Sequence, residues 1–205
     1  MSIDLGKLFF AFCGYFSEGM KFPGEDGNPV YMARYDYLGN NVVLPTTQEE
    51  YANLPAEGTI VRAEGLIKGD KKTGKIALNV QDLSIQGRDP DFKNPSQAEL
   101  MAGVVFSGDV LVSKKDSGLF NGEVYRNVTI ALFGVSYKFS LAKNEAMYNT
   151  FPESGIITLA GKVETFVSSI KGKDGRNIKA CENTLIPERI AKAQPAEKQP
   201  KPAAA

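Results

Sequence analysis

Basic residues cluster in two segments, KGDKKTGK at 68–75 and SIKGKDGRNIK at 169–179, each between runs typical of β-strands. We predict that both segments are hairpins. A cationic hairpin can follow a chain of phosphates, because each cation that neutralises a phosphate releases a bound counterion. Exposed turns also favour Lys and Gly for solubility, so a purely structural role stays open. Lys114 and Lys115 are predicted to add charge from a loop between two strands. The other basic candidates are Lys68, Lys71, Lys72, Lys75, Lys171, Lys173, Arg176 and Lys179.

Tyrosines at alternate positions of two predicted strands offer rings for stacking. Tyr31, Tyr35 and Tyr37 share one phase of the first strand, and Tyr125 is matched to Tyr31 because each follows a Val. Around Tyr125 the polar phase alternates with Val, Ile and Leu, as in a strand whose polar side faces away from the core. We therefore expect the four rings to be exposed, where each stacked base contributes about 1–3 kcal/mol. A ring in the core with its hydroxyl outside is the alternative.

The sequence lacks the residues on which most catalytic and metal sites depend. It contains no histidine, and its two cysteines, Cys13 and Cys181, lie far apart. The commonest general base and metal ligand is therefore absent, and the cysteines form neither a disulfide framework nor a metal cluster. No phosphate-binding loop or dinucleotide motif occurs. We predict that the protein is not an enzyme, has no catalytic residues and holds no metal or cofactor.

Composition and charge indicate a globular protein outside membranes. Hydrophobic residues make up 42% of the chain, charged residues make up 23%, and the formal net charge is zero. No apolar run is long enough to span a bilayer. The apolar segment near the N-terminus follows Asp4 and is interpreted as a strand, not a signal peptide. These features predict a cytoplasmic protein, in which any contact with phosphate depends on local clusters of charge.

One pattern occurs twice in the chain. YANLPAEG at Tyr51–Gly58 and YNTFPESG at Tyr148–Gly155 share Tyr, Pro and Gly at the same spacing, and each leads into an apolar run. Matching segments before and after them recur in the same order, which indicates two copies of one domain. The other matches are 28–45 with 122–142, Phe9–Phe16 with Gly103–Val112 (Gly14 to Gly108), and 71–85 with 172–186.

Each copy is predicted to contain three strands, a short helix and two more strands. The helices are expected at 46–55 and 142–152, each ending before its Pro. With glycines inside the strands, where Gly marks a bulge or a barrel bend, this order predicts an all-β protein of two tandem five-stranded OB-fold barrels. A β-sandwich is the alternative. The glycines are Gly14, Gly39, Gly65, Gly108, Gly134 and Gly161, and the phenylalanines expected to fill the barrels are Phe9, Phe10, Phe12, Phe16, Phe106, Phe139 and Phe166.

Composition shifts predict four parts of the chain. The first OB-fold is expected at 1–86 and the second at 100–190. Between them, a polar segment with two prolines predicts a linker at 87–99. The remaining residues, 191–205, are rich in Pro, Ala and Lys without apolar periodicity, and they are expected to be disordered or extended.

The order of elements, the basic hairpins and the tyrosine strand resemble single-stranded DNA-binding proteins with tandem OB-folds, over residues 7–186. The resemblance implies sequence-tolerant binding and protection of single-stranded DNA, a link to DNA replication, and an origin in a phage or other mobile element. It also implies replication partners or homo-oligomers, and RNA stays open in place of DNA. The chain departs from the pattern at its end, KQPKPAAA, because many bacterial members end in an acidic tail with an apolar tip.

A second hypothesis belongs to another class of function. The paired barrels would form a structural or protein-interaction module, in which the hairpins are solvated turns and strand edges supply the contacts. Carbohydrate binding is less favoured because the sequence has no Trp to form a sugar platform. Binding to single-stranded DNA, with the hairpins and tyrosines along one continuous trough, is the function that the sequence favours.

Overall fold

The fold is that of a computed structural model. The first basic segment (68–75), residues 86–99 and the C-terminal tail each lie only partly within the residues that the structure describes. At 167–171 and 177–181 the backbone alone is described. The described residues are 6–24, 27–70, 74–85, 94–132, 134–171 and 177–192.

Each half of the chain forms five strands with a short helix between the third and fourth strands. The first half contains β1 (Lys7–Pro23), β2 (Pro29–Tyr37), β3 (Asn40–Thr46), α1 (Gln48–Ala52), β4 (Ile60–Gly69) and β5 (Ile76–Ile85). A connecting helix, α2 (Gln97–Ala102), leads into the second half. That half contains β6 (Val105–Phe120), β7 (Glu123–Leu132), β8 (Val135–Ser140), α3 (Glu145–Thr150), β9 (Gly155–Lys171) and β10 (Asn177–Lys192). The protein is therefore all-β, and the predicted element order is confirmed.

The ten strands form one sheet in the order β3-β2-β1-β4-β5-β10-β9-β6-β7-β8, and β1 also pairs with β6. Counted from one end the order is β3-β2-β1-β4-β5, and counted from the other end it is β8-β7-β6-β9-β10, the equivalent strands of the second half. This is the pattern of two halves related by a local two-fold axis. Register supports this relation: Phe10 pairs with Gly65 in the first half and Phe106 with Gly161 in the second. Phe10 also pairs directly with Phe106 across the halves. The halves thus meet through equivalent strands.

The pairings correct two of the sequence matches. Gly14 pairs with Val61 and Val110 pairs with Ile157, so Gly14 corresponds to Val110 and not to Gly108. In the last strands, Leu78 pairs with Ile67 and Leu185 pairs with Val163. Leu78 therefore corresponds to Leu185, and the match of 71–85 to 172–186 is out of register. The element order recurs in both halves, but the predicted sequence alignment of these strands is out of register.

Two glycines lie opposite β-bulges in the neighbouring strand, at positions where no side chain fits. Register shifts next to Gly65 on β4 and next to the partner of Gly161 on β10. A β-carbon at Gly65 would overlap the carbonyl oxygen of Asn79, and one at Gly161 would overlap that of Ile186. These bulges confirm the predicted role of strand-interior glycine.

Two other glycines lie in turns, contrary to the prediction that they lie inside strands. Gly39 follows β2 with φ +82°, and Gly134 precedes β8 with φ +73°. Such a φ is rare for a residue with a side chain and common in two-residue hairpin turns. Gly14 and Gly108 lie within β1 and β6 as predicted.

The two predicted helices form, and each begins at a side-chain cap. Thr47 and Glu50 form a reciprocal capping box at α1, and the Asn144 side chain accepts from the backbone N–H of Met147 at α3. Tyr148 is buried, and the Tyr51 ring lies 5.0 Å from the Tyr31 ring. The two tyrosines of the repeated motif thus pack their helices against the strands.

The core is one continuous cluster that includes side chains from both halves. Phe10, Phe12, Phe16, Phe106 and Phe139 are buried in it, as predicted. Phe9 and Phe166 are about half exposed, at 53% each, and are not core residues. Phe9 adjoins the buried Phe10 on β1, so strand alternation turns its ring to the opposite side.

The predicted domain boundaries lie partly outside the described residues. Residues 87–93 of the linker and 193–205 of the tail are outside them, while α2 begins within the linker and β10 extends to Lys192. The Arg62 guanidinium on β4 lies 3.1 Å from the Glu99 carboxylate and ties α2 to the first half. Within the described residues, no helix is both long and apolar enough to cross a membrane. The boundaries at 86 and 100 stay predictions.

Candidate nucleic-acid interface

The outer side of β6, β7 and β8 is a polar surface with a tyrosine and two lysines, which we call the second-half face. Cross-strand pairing sets its rows: Lys114 lies opposite Thr129, and Thr129 lies opposite Lys138. On β7, the residues on either side of Thr129 are Val128 and Ile130, and both are fully buried. The predicted alternation of β7 is therefore confirmed. The second-half face consists of Lys114, Asp116, Gly118, Tyr125, Asn127, Thr129, Lys138 and Ser140.

Tyr125 on β7 lies directly opposite Gly118 on β6. Gly118 pairs with Tyr125, and a β-carbon at Gly118 would be 2.8 Å from the tyrosine hydroxyl and 3.0 Å from Cε1 and Cζ. The missing side chain lets the ring lie against β6, and Tyr125 remains half-buried. Aromatic side chains of this kind are the platforms on which bases stack in proteins that bind single strands.

Two lysines and one carboxylate lie on this face, and a second carboxylate, Glu123, lies on the same side of β7 at the hairpin end. The Lys114 ammonium group lies 3.9 Å from the Asp116 carboxylate, at the limit of an ion pair, and the Lys114 side chain is 68% exposed. Lys138 is also exposed. A pair so open to water contributes little to stability, so Lys114 can exchange its partner for a phosphate at low cost. Lys138 was not among the sequence candidates, although its alternation with buried Tyr137 and Phe139 would have placed it on the outer side.

Lys115 lies in a different environment from Lys114, and neither residue is in the predicted loop. Both are within β6, and the turn to β7 comes later, at Asn121 and Gly122. The Lys115 ammonium group donates to the Phe151 carbonyl at 2.9 Å and lies 4.5 Å from the centre of the Tyr148 ring. Lys115 therefore holds the end of α3 against the second half and has little surface to offer a phosphate.

Tyr35 and Tyr37 are buried, and the prediction that they are exposed is wrong. Tyr35 is 3% exposed, and burial, together with the charge of Glu50, raises its pKa to about 12. Burial also raises the pKa of Tyr37, which packs against Gly103. Their rings pack edge to face on Phe12 in the core. Neither ring is available to a base in this structure.

A one-residue slip explains the error. Tyr37 pairs with Asn40 at the β2–β3 turn, and Leu132 pairs with Val135 at the equivalent turn. Tyr37 thus corresponds to Leu132, and Tyr31 corresponds to Arg126 and not to Tyr125. A slip of one residue moves every side chain of a strand to the other face. Tyr31 is half-buried, and the Lys21 ammonium group lies 5.4 Å from its ring centre.

The β4–β5 hairpin carries one set of predicted cations. Lys68 is exposed at the end of β4, and the Lys75 ammonium group lies 3.2 Å from the Glu182 carboxylate on β10. Lys71 and Lys72 lie outside the described residues. The described part of the hairpin therefore presents Lys68, with Lys75 joined to the second half.

The β9–β10 hairpin carries the other set. The pairs Lys171 with Asn177 and Ser169 with Lys179 confirm that a hairpin forms. Only the backbone is described at Lys171 and Lys179, and Lys173 and Arg176 lie outside the described residues.

The described strand ends of the two hairpins lie at opposite ends of the β5–β10 pair. β5 and β10 pair antiparallel where Ile76 meets Asn183. The first turn adjoins Ile76, whereas the second adjoins Asn177, about 20 Å further along β10 at 3.4 Å per residue. This geometry does not place the two turns on one continuous trough.

A groove of about 670 Å³ crosses the junction of the halves, but its charge does not suit phosphate. Its lining includes Glu64 and Asp82, which lie directly opposite each other on β4 and β5. Two carboxylates in one row repel an anionic chain. Among the surfaces described, the second-half face is the better candidate.

Comparison with known proteins gives an architectural likeness. No protein-family model and no curated protein matches the sequence. The crystal structure of the wild-type single-stranded DNA-binding protein from Thermus aquaticus is similar, with a TM-score of 0.47 and 12% identity over 95% of this chain and 96% of that chain. A deletion mutant of the same protein gives 0.46 and 12% over 95% and 97%. Such distant likeness carries no functional argument, so function is argued from the second-half face.

Proposed function

We propose that this chain binds single-stranded DNA with little sequence preference, with the second-half face as its main contact surface. The observation that carries the proposal is the Tyr125 ring, held against Gly118 on an outward-facing sheet beside Lys114 and Lys138. Aromatic rings accept any base, since every base has a π-face, and lysines contact the phosphates. In a duplex the base faces are covered by their neighbours, so the ring favours single strands.

Two features support tandem OB-fold barrels as the scaffold. The strand order is β3-β2-β1-β4-β5 in the first half and β8-β7-β6-β9-β10 in the second. With a helix after the third strand of each half, this is the order of a five-stranded OB barrel. Closure requires the third and fifth strands to approach each other. β3 lies near β5 in the first half, and in the second half the Leu185 backbone N–H on β10 donates to the Tyr137 hydroxyl on β8 at 3.4 Å. In this fold the outer surface of the second and third strands binds nucleic acid.

The hairpin lysines add a second, sequence-independent contribution. Lys68 and the basic residues at 71–72 and 171–179 would contact phosphates on either side of the bases held by Tyr125. Joining two weak sites in one chain makes the second contact intramolecular and raises the overall affinity. Because the described ends of the two hairpins lie at opposite ends of the β5–β10 pair, a long strand would have to bend around the protein to reach both.

Fluorescence anisotropy with labelled oligo-dT tests the proposal. We expect tighter binding to oligo-dT than to a duplex of equal length, with affinity falling as salt rises. Replacing Lys114 and Lys138 together by Ala should reduce the slope of log affinity against log salt by about 1.4, since each phosphate contact on a single strand contributes about 0.7. Lys162→Ala is the control, because that lysine pairs with Glu188 on β10, away from this face. Equal affinity for both DNA forms, or no binding at low salt, would refute the proposal.

A further inference from the structure

A cavity of about 480 Å³ lies in the first half, among residues of β3, α1 and β5. This volume is within the range of sites that hold small molecules. The floor of the cavity is buried and includes Tyr35, Leu44 and Ile85. Its rim is polar and exposed, and consists of Thr47, Glu50, Asn53, Asn79 and Gln81.

Two phenylalanine rings occupy the equivalent positions in the second half. Pairing with the neighbouring strand makes Leu44 on β3 correspond to Phe139 on β8. Leu54 corresponds to Phe151, because each lies three residues after the Tyr of the repeated motif. The Phe139 and Phe151 rings are buried and pack on each other, with their centroids 5.6 Å apart. Two leucines in place of two packed rings leave space in the first half.

The floor of the cavity contains a buried hydroxyl group, that of Tyr35. The Tyr35 ring is held edge to face by Phe12 and Phe16, at centroid distances of 5.6 Å and 5.8 Å. Its hydroxyl is not hydrogen-bonded to any residue that the structure describes. The equivalent residue of the second half is Ile130, which has no polar group. Buried polar groups are nearly always hydrogen-bonded, so an unpaired one beside a cavity points to a ligand that pairs with it.

The charge of the lining favours an uncharged ligand. Burial, together with the charge of Glu50, raises the pKa of Tyr35 to about 12, so the phenol keeps its proton at neutral pH. Among the described residues that line the cavity, Glu50 carries the one charge. A neutral hydroxyl donor near a carboxylate suits a carbonyl oxygen and repels an anion. Phosphate groups are disfavoured for the same reason.

We propose that this cavity binds a small uncharged molecule with an apolar ring and a carbonyl oxygen. The ring would pack on Leu44, Leu54 and Ile85, which line the cavity. The carbonyl oxygen would accept a hydrogen bond from the Tyr35 hydroxyl. Sites for small molecules commonly combine such an apolar lining with a few polar groups that fix orientation. The cavity lies in the first half, so this site is independent of the second-half face.

Acetophenone is the probe, titrated into the full chain with labelled methyl groups. We expect saturable chemical-shift changes at the methyl groups of Leu44, Leu54 and Ile85. Benzoate is similar in size but is an anion, and it should cause no such changes. A chain with both Leu44→Phe and Leu54→Phe carries the second-half residues at these positions. It should lose acetophenone binding, because the two rings would occupy the space.

Tyr35→Phe tests the hydrogen bond while keeping the ring. It should weaken acetophenone binding roughly 2- to 10-fold, as for the loss of one hydrogen bond between neutral groups. The probe α-methylstyrene has a CH₂ group in place of the carbonyl oxygen, and Tyr35→Phe should leave its affinity unchanged. Tyr137→Phe is the matched control, since Tyr137 is a buried tyrosine of the second half and does not line the cavity. It should bind acetophenone like the wild type.

Three results would each overturn the inference. The first is the absence of shifts at the methyl groups of Leu44, Leu54 and Ile85 with acetophenone. The second is benzoate binding as tight as acetophenone binding. The third is a Tyr35→Phe chain that binds acetophenone like the wild type. The comparison of Tyr35→Phe with the wild type decides the question even if the chain with two added phenylalanines does not fold.

Discussion

Replacing Tyr125 by Ala is expected to weaken binding to oligo-dT by roughly 5- to 150-fold, the range for losing one stacked base at about 1–3 kcal/mol. The loss should be large because the ring rests on Gly118 and is fixed before DNA arrives. Because the ring is already ordered, stacking on it costs little conformational entropy. Anisotropy titrations of the wild type and the variant, in one buffer and at one salt concentration, measure this ratio.

Two further variants show whether the ring itself matters. Tyr125→Phe keeps the ring and should bind within a few-fold of the wild type. Tyr15→Ala removes an exposed tyrosine from β1 in the first half and should leave oligo-dT affinity unchanged. If Tyr125→Ala folds normally by circular dichroism and binds like the wild type, Tyr125 does not stack on DNA.

Gly65→Ala is expected to have the largest effect on stability. The added β-carbon would meet the Asn79 carbonyl oxygen at the bulge, and a backbone atom in a paired strand cannot rotate away. Overpacking of this kind costs about 3 kcal/mol or more, which lowers the melting temperature of a chain this long by roughly 6–12 °C. Gly161→Ala should behave in the same way, because it meets the Ile186 carbonyl at the equivalent bulge.

Gly118→Ala is the control for both large predictions. Its β-carbon would meet only the end of the Tyr125 side chain, which can turn aside. Thermal unfolding should therefore change by much less than in Gly65→Ala. Oligo-dT binding should nevertheless weaken, because the Tyr125 ring is displaced. This variant would therefore lose binding affinity without a large loss of stability. A Gly65→Ala protein that melts with the wild type would show that the bulge tolerates a side chain.

Local patterns in the sequence predict much of the fold. The Tyr-Pro-Gly motif correctly indicates that one element order recurs in the two halves, and the two short helices form where they are predicted. On β7 the alternation of polar residues with buried Val128 and Ile130 correctly places Tyr125 outside. Such features depend on neighbours a few residues apart, so one sequence is enough to find them.

The errors concern register and pairing between distant segments. Aligning the Val-Tyr pair of β2 with that of β7 predicts that Tyr35 and Tyr37 are exposed. The true register of β2 differs from this alignment by one residue, and both rings are buried. The polar run around Lys115 predicts a loop, but β6 continues through it into a long hairpin arm. The pairing of Phe10 with Phe106 joins the halves, and no local pattern encodes it. Each error follows from a contact that the sequence does not contain locally.

The most direct test of the central claim is a map of backbone amide shifts in labelled protein during titration with a short oligo-dT. We expect the largest shifts at Tyr125, Asn127 and Thr129 on β7 and at Lys138 on β8. Residues of the acidic groove, such as Glu64 and Asp82, should shift little. Shifts concentrated in that groove, or none on β7 and β8 at saturation, would contradict the assignment of the second-half face to single-stranded DNA.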